Sequence, residues 1–280
     1  MMPLPTGKFY WYIPHGPVVI QEPPEMAKVL QVFEQELSKD GTLFFRIDPV
    51  YDFMPDADNP GIKERGRQLR FVPATQPQCT RILDIVKSED DLLKEMHQKT
   101  RYNIKVAEKN NVVVQEGSIE DFLKLYHQTA ERDKFKQNPD KWLSDMAHHL
   151  TGQSGASIKV WIASYNDTPV AGSMTAYFGD MVTYLHGASG NEHRNVMAPY
   201  LLHWEIIKDG KKADYRYYDW RGVNPGNQNH AAYKKSWEGI TRFKTGFGGE
   251  FVSNPPSFDL IYRPTWYRLY KLLSTIRRLI

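Results

Sequence analysis

Hydrophobic and polar positions repeat with different periods along the chain, and the changes of period separate its predicted elements. Alternating or β-branched runs predict strands, whereas apolar positions spaced three and four residues apart predict helices. From residue 112 onward this rule predicts, in order, a strand at 112–115, helices at 119–132 and 139–150, strands at 159–165, 170–178 and 181–187, a helix at 199–207, a strand at 215–220, a short helix at 231–237 and a strand at 250–253.

The order of these elements resembles that of an acetyltransferase-like α/β domain (GNAT). The preceding residues match only the later half of the same order, with strands at 10–19, 43–47 and 81–86 and a helix opened by Pro24. We therefore expect an α/β (α+β) fold with tandem GNAT-like domains, the first of which is incomplete at its N-terminus. The predicted boundaries are a partial first domain at 1–88, a complete second domain at 89–262 and a basic amphipathic C-terminal helix at 263–280.

The composition narrows the class of protein. Of the 280 residues, 41% are hydrophobic and 25% are charged, which is typical of a globular protein. No apolar run approaches the ~20 residues that span a bilayer, and the first residues lack the pattern of a signal peptide. The single cysteine, Cys79, excludes an internal disulfide framework and fits a reducing cytoplasm. Because no Cys/His spacing typical of a metal site occurs, we expect no bound metal.

Positive charge is concentrated in two segments, although the net charge of the chain is only +3. The segment 94–109 carries five basic and two acidic residues, and the segment 263–280 carries five basic residues and no acidic ones. Clusters of this kind meet phosphates or an anionic membrane surface, but a solvated helix face has the same composition. Both interpretations stay open from the sequence.

Seven short motifs follow one another in a fixed order along the chain. They are Ile13-Pro14-His15-Gly16-Pro17, Phe45-Arg46-Ile47-Asp48-Pro49, Lys99-Thr100-Arg101-Tyr102-Asn103-Ile104-Lys105, Thr129-Ala130-Glu131-Arg132, Tyr184-Leu185-His186-Gly187-Ala188-Ser189, Tyr218-Asp219-Trp220-Arg221-Gly222 and Phe243-Lys244-Thr245-Gly246-Phe247-Gly248. In this order they resemble the Fem-type aminoacyltransferases, which build peptidoglycan bridges and consist of two acetyltransferase-like domains. The resemblance extends from Tyr12 to Asp259 and does not specify a substrate.

The resemblance implies a cytoplasmic transferase of cell-wall biogenesis. In the implied reaction, a stem-peptide amine attacks the ester carbonyl of an aminoacyl-tRNA, which serves as co-substrate without any further cofactor. The implied acceptor is UDP-MurNAc-pentapeptide or lipid II, and peripheral contact with the inner face of the plasma membrane would suit the latter. Family members usually begin some tens of residues earlier, so we expect weakened precursor binding. The chain also lacks a helical-hairpin arm and therefore resembles the armless subgroup.

Two residues are candidates for catalysis. The resemblance places Lys244 beside the reacting carbonyl and the precursor phosphates, as an electrostatic stabiliser of the oxyanion. It precedes a glycine-rich stretch, 245–249, where the backbone can approach a ligand; the alternative is a solvated lysine at the start of a strand. Asp48 lies at the carboxyl end of a predicted strand and is a candidate to orient or deprotonate the attacking amine. The alternative is a carboxylate paired with Arg46 or capping a turn.

The candidate substrate-binding residues include three residues with aromatic rings and three cations, two of which, Arg101 and Lys105, lie on one predicted helix. Phe243 would stack on the terminal adenine of the tRNA, unless it belongs to the core. Tyr184 and His186 alternate on one predicted strand, so we expect both to face the precursor. The family tends to have tyrosine at both places, and a core histidine is the alternative for His186. Arg132 resembles a family arginine that binds the precursor, and the alternative is pairing with a neighbouring carboxylate.

Arg101, Lys105 and Lys109 follow at four-residue steps on one predicted helix face. The functional interpretation is contact with backbone phosphates of the tRNA acceptor stem, which would not select the amino acid. A solvated face explains the same spacing. Asp219 also ends a predicted strand, but we expect it to be structural because Arg221 is close in sequence.

Two other functions are considered. An acetyl-CoA-dependent N-acetyltransferase would hold pyrophosphate on a glycine-rich turn before the helix at 199–207, but the turn at 193–199 has no glycine, and Pro199 removes an amide donor. A non-catalytic scaffold associated with the membrane is the second alternative. It is supported by apolar residues that share one face of the predicted C-terminal helix: Trp266, Leu269, Tyr270, Leu273, Ile276 and Ile280.

Overall fold

The computed structural model describes residues 1–4, 7–17, 32, 35, 37, 41–50, 68–150 and 155–279, with side chains described up to residue 274. Its strands are β1 (Met2–Pro3), β2 (Phe9–Ile13), β3 (Thr42–Ile47), β4 (Gln68–Phe71), β5 (Cys79–Asp84), β6 (Val113–Glu116), β7 (Ser157–Tyr165), β8 (Thr168–Phe178), β9 (Met181–Ser189), β10 (Tyr217–Asp219), β11 (Glu250–Ser253) and β12 (Phe258–Ile261). Its helices are α1 (Glu89–Glu95), α2 (Gln98–Lys109), α3 (Ile119–Asp133), α4 (Asp140–His149), α5 (Ala198–Lys212), α6 (Glu238–Thr245) and α7 (Pro264–Leu279).

Two compact units divide the chain. The first comprises 1–79, 225–233 and 253–280, and the second comprises 80–224 and 234–252. Each unit is built on one sheet, and the chain passes from the first unit to the second and back twice.

The second unit contains a seven-stranded sheet in the order β11-β5-β10-β9-β8-β7-β6. Strands β6 to β9 are antiparallel, and β10 runs parallel to β9. Residues alternate between two cores along β7: Trp161 and Ala163 pack with residues of α2 and α5, whereas Val160 and Ile162 pack with residues of α3 and α4. Burial of both faces explains why the strands read as nearly continuous apolar runs.

The first unit contains a five-stranded sheet in the order β1-β2-β3-β12-β4. Strand β2 is parallel to β3, and β12 pairs antiparallel with both β3 and β4. Buried Phe44 contacts Tyr267 of α7, with 5.1 Å between ring centroids, so α7 packs on this sheet.

Most elements predicted from residue 112 onward are confirmed, with boundaries that differ by a few residues. The short helix predicted at 231–237 is wrong: residues 235–237 form a single 3-10 turn and the helix follows at Glu238–Thr245. Helix α1, capped by the Ser88 side chain, was not predicted. The helix predicted from Pro24 lies outside the described residues, apart from Val32, Gln35 and Leu37, which are helical.

The predicted domain ranges 1–88 and 89–262 do not coincide with the two units, because two strands belong to the other sheet. Strand β5, assigned to the first domain, pairs with β10 of the second unit, with Leu83 opposite Tyr218. Strand β12, assigned to the second domain, lies between β3 and β4. A short apolar run indicates a strand but carries no information about its pairing partner, since side-chain packing decides the partner.

None of the described helices is long and apolar enough to cross a bilayer. In the part of the chain that the structure describes, His, Cys, Asp and Glu side chains form no group of three that could hold a metal ion.

Candidate active site around Lys244

Lys244 lies in the last turn of α6, because the glycine-rich stretch that follows ends the helix rather than beginning a strand. Gly248 and Gly249 have φ values of 89° and 80°, which other residues rarely adopt. A Cβ atom on Gly249 would lie 2.6 Å from the carbonyl oxygen of Ile82 in β5. Gly249 therefore allows the backbone to approach β5, and a Cβ atom on Gly248 would lie 3.2 Å from the carbonyl oxygen of Glu95 at the end of α1. Approach of this stretch to a ligand stays a prediction.

The Lys244 side chain is buried, with 7% of its surface exposed, so the solvated alternative is also wrong. Its Nζ atom donates a hydrogen bond to the carbonyl oxygen of Gly222 at 2.9 Å and lies 5.1 Å from the centroid of the Tyr184 ring. The pKa of Lys244 is lowered to about 7, chiefly by burial; the charge of Asp219 opposes this shift and that of Arg221 adds to it. A buried lysine that titrates near neutral pH is typical of catalytic sites.

An aromatic cluster surrounds Lys244, and its members come from β9, α5, the segment after β10, and α6. The ring of His203 lies 4.6 Å from that of Tyr184 and 4.8 Å from that of Trp220. Burial, followed by the charge of Lys244, lowers the pKa of His203 to about 3, so this ring is neutral. Its Nδ1 atom is 2.8 Å from the hydroxyl oxygen of Tyr218. The cluster thus places the amine of Lys244 in a largely apolar setting.

A cavity of about 540 Å³ opens beside this cluster. Phe243, the residue before Lys244, lines it together with Tyr200, and the two rings are 5.0 Å apart. The remaining wall comes from β8, the end of β9 and the turn that starts α5: Val170, Ser189, Gly190, Glu192, His193, Arg194, Asn195, Met197, Ala198 and Pro199. Phe243 therefore packs against the core and also lines the cavity, and its stacking on a tRNA base stays a prediction.

Tyr184 and His186 do not share a face, because the register between β8 and β9 shifts at this point. Thr175 pairs with Tyr184 and its neighbour Met174 pairs with His186, so Leu185 is the extra residue of a β-bulge. The hydroxyl of Tyr184 occupies the space that a Cβ atom of Gly187 would need. The prediction of a shared face is wrong because simple alternation does not include the bulge.

His186 instead packs against the α3 and α4 side of the sheet. Its ring is 6.3 Å from that of Tyr126 and 5.8 Å from that of Trp142. Burial, assisted by Arg221, lowers the pKa of His186 to about 4, so the imidazole is uncharged at neutral pH. These contacts favour the core alternative for this histidine.

Arg132 makes several interactions within the second unit. Its guanidinium group pairs with both carboxylate oxygens of Asp133, at 2.9 and 3.0 Å. Its Nη1 atom also donates to the carbonyl oxygen of Ser189 at 3.0 Å and to the side chain of Asn191 at 3.2 Å. The arginine thereby joins the end of α3 to the end of β9, in agreement with the alternative of a neighbouring carboxylate partner.

Of the basic residues on α2, Arg101 donates hydrogen bonds to the carbonyl oxygens of Leu93 and Met96 and so closes the end of α1. Lys105 and Lys109 are exposed. Asp219 accepts hydrogen bonds from the hydroxyl of Thr80 and from the backbone N–H of Arg221, at 2.7 Å for the latter. This agrees with the structural role expected for Asp219, and the backbone of Arg221 is one of its partners.

Asp48 belongs to the first unit and is also buried, with 4% of its surface exposed. Its Oδ2 atom accepts hydrogen bonds from the Tyr12 hydroxyl at 2.7 Å and from the Gln76 backbone N–H at 2.9 Å. Burial and this bond to Asp48 raise the pKa of Tyr12 to about 12. Among the described residues, Oδ1 has no hydrogen-bond partner although it is buried. The alternative that pairs Asp48 with Arg46 is wrong, because Arg46 pairs with Asp259.

Sequence reasoning missed the residues that enclose Lys244. Trp220 and Tyr218 lie in one of the motifs, but only their neighbour Asp219 was considered for a role. His203 lies on the apolar face of α5, and a histidine among the buried leucines of this helix was the available signal.

A family model and two curated relatives match most of the chain. A model of the FemAB family matches residues 52–160 and 153–275. A lipid II:glycine glycyltransferase of Staphylococcus epidermidis is 21% identical over 326 residues, which cover 89% of this chain and 78% of that protein. A lipid II:glycine glycyltransferase of Staphylococcus haemolyticus is 19% identical, with 87% and 74% covered.

Two solved structures share the fold. The crystal structure of FemX superposes with a TM-score of 0.72 at 18% identity, over 92% of this chain and 82% of that one. A conserved Bacteroides thetaiotaomicron protein of unknown function gives 0.56 at 12% identity, over 85% and 76%. The predicted α/β class with tandem acetyltransferase-like domains is confirmed by the likeness to FemX.

Proposed function

Because the chain belongs to the FemAB family, we propose that it transfers an amino acid from an aminoacyl-tRNA to the stem-peptide amine of a peptidoglycan precursor. The relatives that are named lipid II:glycine glycyltransferases support an acceptor of this class. The observation that carries the proposal is the buried Lys244, which lies next to a cavity-lining aromatic residue.

Lys244 stabilises the negative charge that develops on the ester carbonyl oxygen when the amine attacks. An ester is already activated, so the enzyme needs to align the reactants and bind the oxyanion, without a covalent intermediate. Burial strengthens this interaction because little water screens it. The pKa of about 7 describes Lys244 without substrate. An anionic substrate nearby favours the charged amine, because an opposite charge raises the pKa of a lysine.

The aminoacyl end of the tRNA occupies the cavity beside the cluster. Phe243 and Tyr200 offer aromatic surfaces there, and base–aromatic stacking contributes ~1–3 kcal/mol. The exposed Lys105 and Lys109 of α2 are available for phosphates of the acceptor stem, whereas Arg101 is occupied at the end of α1. We assign Arg132 to supporting the end of β9, because its guanidinium group is already bonded within the unit.

Asp48 orients the attacking amine through its Oδ1 atom. A buried carboxylate oxygen without a partner among the described residues is costly unless a ligand donor occupies it. An ammonium or amine group of a stem peptide supplies such a donor. The bonds from Tyr12 and Gln76 to Oδ2 hold the carboxylate in place for this purpose.

The direct test is incubation of the purified chain with a mixed pool of charged tRNAs and, in separate reactions, a lipid-linked and a nucleotide-linked precursor. Mass spectrometry then identifies the added amino acid and the acceptor. Transfer that depends on the charged tRNA supports the proposal. Absence of transfer to both precursors with every aminoacyl-tRNA would contradict it.

Binding of acetyl-CoA would distinguish the acetyltransferase alternative from the proposed transfer from aminoacyl-tRNA. A 3-10 turn at Arg194–Val196 precedes α5, which begins at Ala198. Because Pro199 in the first turn of α5 has no N–H, fewer backbone amides are available there to bind a pyrophosphate than at a helix start without proline. A ligand that binds the native state raises the midpoint of thermal unfolding. We expect aminoacyl-tRNA to raise it and acetyl-CoA to leave it unchanged, and a rise with acetyl-CoA would favour the acetyltransferase alternative.

A further inference from the structure

Helix α7 has two apolar faces, and only one of them is packed. Tyr267 is buried against the sheet of the first unit, and Tyr270 packs beside it, with its ring 5.1 Å from that of Phe44. The other face carries large apolar side chains that remain exposed, with exposed fractions of 37, 43, 60 and 55% for Trp266, Leu269, Leu272 and Leu273. We call these four residues the outer face of α7.

The outer face is a continuous stripe. Leu269 follows Trp266 by three positions, and Leu272 and Leu273 follow Leu269 by three and four, so their side chains are neighbours on one side of the helix. A helix on the surface of a globular protein normally turns polar residues to the solvent. Contiguous exposed apolar surface of this kind marks an interaction site.

The charges around the stripe indicate what covers it. The segment 263–280 holds five basic residues and no acidic one. Arg263 and Arg268 are exposed, and the Nζ atom of Lys8 lies 5.6 Å from the ring of Trp266. Asp259, an acidic residue that contacts α7 through Tyr267, is fully buried and paired with Arg46. The partner must therefore be apolar in its interior and negatively charged at its surface.

We propose that the outer face of α7 binds the interface of an anionic lipid membrane. Leucines enter the acyl boundary, the tryptophan lies at the level of the headgroups, and the flanking arginines meet lipid phosphates. A second copy of the chain fits less well, because a symmetric contact through this face would bring two clusters of like charge together. The surface stands on these observations and does not depend on the proposed reaction.

The test is flotation of the full chain with vesicles of phosphatidylcholine alone or mixed equally with phosphatidylglycerol. We expect binding to the mixed vesicles, weakened by added salt, and little binding to phosphatidylcholine. The double variant Leu269→Gln/Leu273→Gln should lose binding by about tenfold or more, because it removes the apolar contribution of two inserted side chains. Its matched control is Phe178→Gln in the second unit, which alters a side chain that is 62% exposed and should bind as the unchanged chain does.

A second measurement reports directly whether the outer face of α7 enters the membrane. A polarity-sensitive dye on Leu272→Cys should shift to the blue with anionic vesicles, whereas the same dye on Phe178→Cys should not; Cys79 is buried and should not react. Equal flotation of the Leu269→Gln/Leu273→Gln variant and the unchanged chain would overturn the proposal. It would also be overturned if light scattering showed a dimer that this variant dissociates while neither protein floats.

Discussion

Lys244 is a buried cation and Arg46 is a partly buried one, with 14% of its side-chain surface exposed, but their surroundings differ. Arg46 donates two hydrogen bonds of 2.8 Å to the carboxylate of Asp259, which also accepts one from Tyr267 at 2.7 Å. Lys244 donates to a backbone carbonyl and otherwise faces aromatic rings. Although burial lowers the pKa of Arg46, the bonds and charge of Asp259 raise it above its ordinary value, whereas burial lowers that of Lys244.

The difference separates a structural charge from one available for a substrate. The charge of Arg46 is balanced inside the first unit, so removing it leaves Asp259 without its partner. The charge of Asp219 offsets the desolvation of Lys244 only in part, so an entering anion adds a balancing charge. Stability should therefore depend on Arg46 and activity on Lys244, and the following experiments test this separation.

The largest effect is expected for Arg46→Met. Breaking a buried ion pair on one side costs ~3–5 kcal/mol, because the remaining charge is left without compensation. Urea denaturation should show this loss of unfolding free energy. In the double variant Arg46→Met/Asp259→Leu, part of the loss should be recovered. If Arg46→Met lowered the unfolding free energy by less than about 1 kcal/mol, the ion pair would behave as an exposed one. Arg46 would then not differ from Lys244 in its contribution to stability.

For Lys244→Met we expect transfer to fall by about 10²–10³-fold, since one oxyanion donor contributes ~2.7–4 kcal/mol to barrier lowering. The unfolding free energy at pH 7 should be equal to or above that of the unchanged chain, because the substitution removes a buried charge. The matched control is Lys141→Met on α4, an exposed lysine paired with Asp145. Near-normal turnover by the Lys244 variant would remove this residue from the site.

Phe243→Leu should weaken the binding of aminoacyl-tRNA more than it slows the chemical step. Loss of one stacking contact of ~1–3 kcal/mol predicts a rise of KM for aminoacyl-tRNA of roughly 5- to 100-fold, with kcat little changed. The control, Phe247→Leu, alters a fully buried ring of the same cluster and should lower stability instead. An unchanged KM would assign Phe243 to the core alone.

The stability of the chain should also depend on pH. The folded pKa of Lys244, about 7, lies below its ordinary value of 10.5. The unfolded chain therefore binds more protons between these values, and the contribution of Lys244 to unfolding free energy rises by at most ~1.4 kcal/mol per pH unit across this window. The stability difference between Lys244→Met and the unchanged chain should shrink from pH 7 to pH 10. A constant difference would show that Lys244 is not strongly desolvated.

The pH dependence of kcat/KM tests whether Lys244 acts as a cation. If Lys244 acts as a cation in the free enzyme, kcat/KM should fall as pH rises through about 7, and this fall should be absent in Lys244→Met. A kcat/KM that rises over the same range would make the neutral amine a base instead. Arg46 does not titrate in this window, so it contributes no such change.

Local pattern was enough to predict the order of elements in the second unit, because hydrophobic periodicity and turn residues act over a few positions. It did not predict the sheet to which β5 and β12 belong, since pairing depends on residues far away in the chain. It also missed the bulge at Leu185, which turns Tyr184 and His186 to opposite sides. Lys244 was identified through its motif, whereas its burial among His203, Tyr184 and Trp220 arises only when three separate segments fold together.

The interior position of β12 has a consequence for the order in which the chain is made. Strand β12 lies between β3 and β4, so the sheet of the first unit lacks this interior strand until residues 258–261 leave the ribosome. The second unit, whose strands end at Ser253, has all its pairing partners before that moment. During synthesis the first part of the chain to emerge is therefore the last to complete its sheet, and nascent chains halted before Phe258 would carry an unfinished first unit.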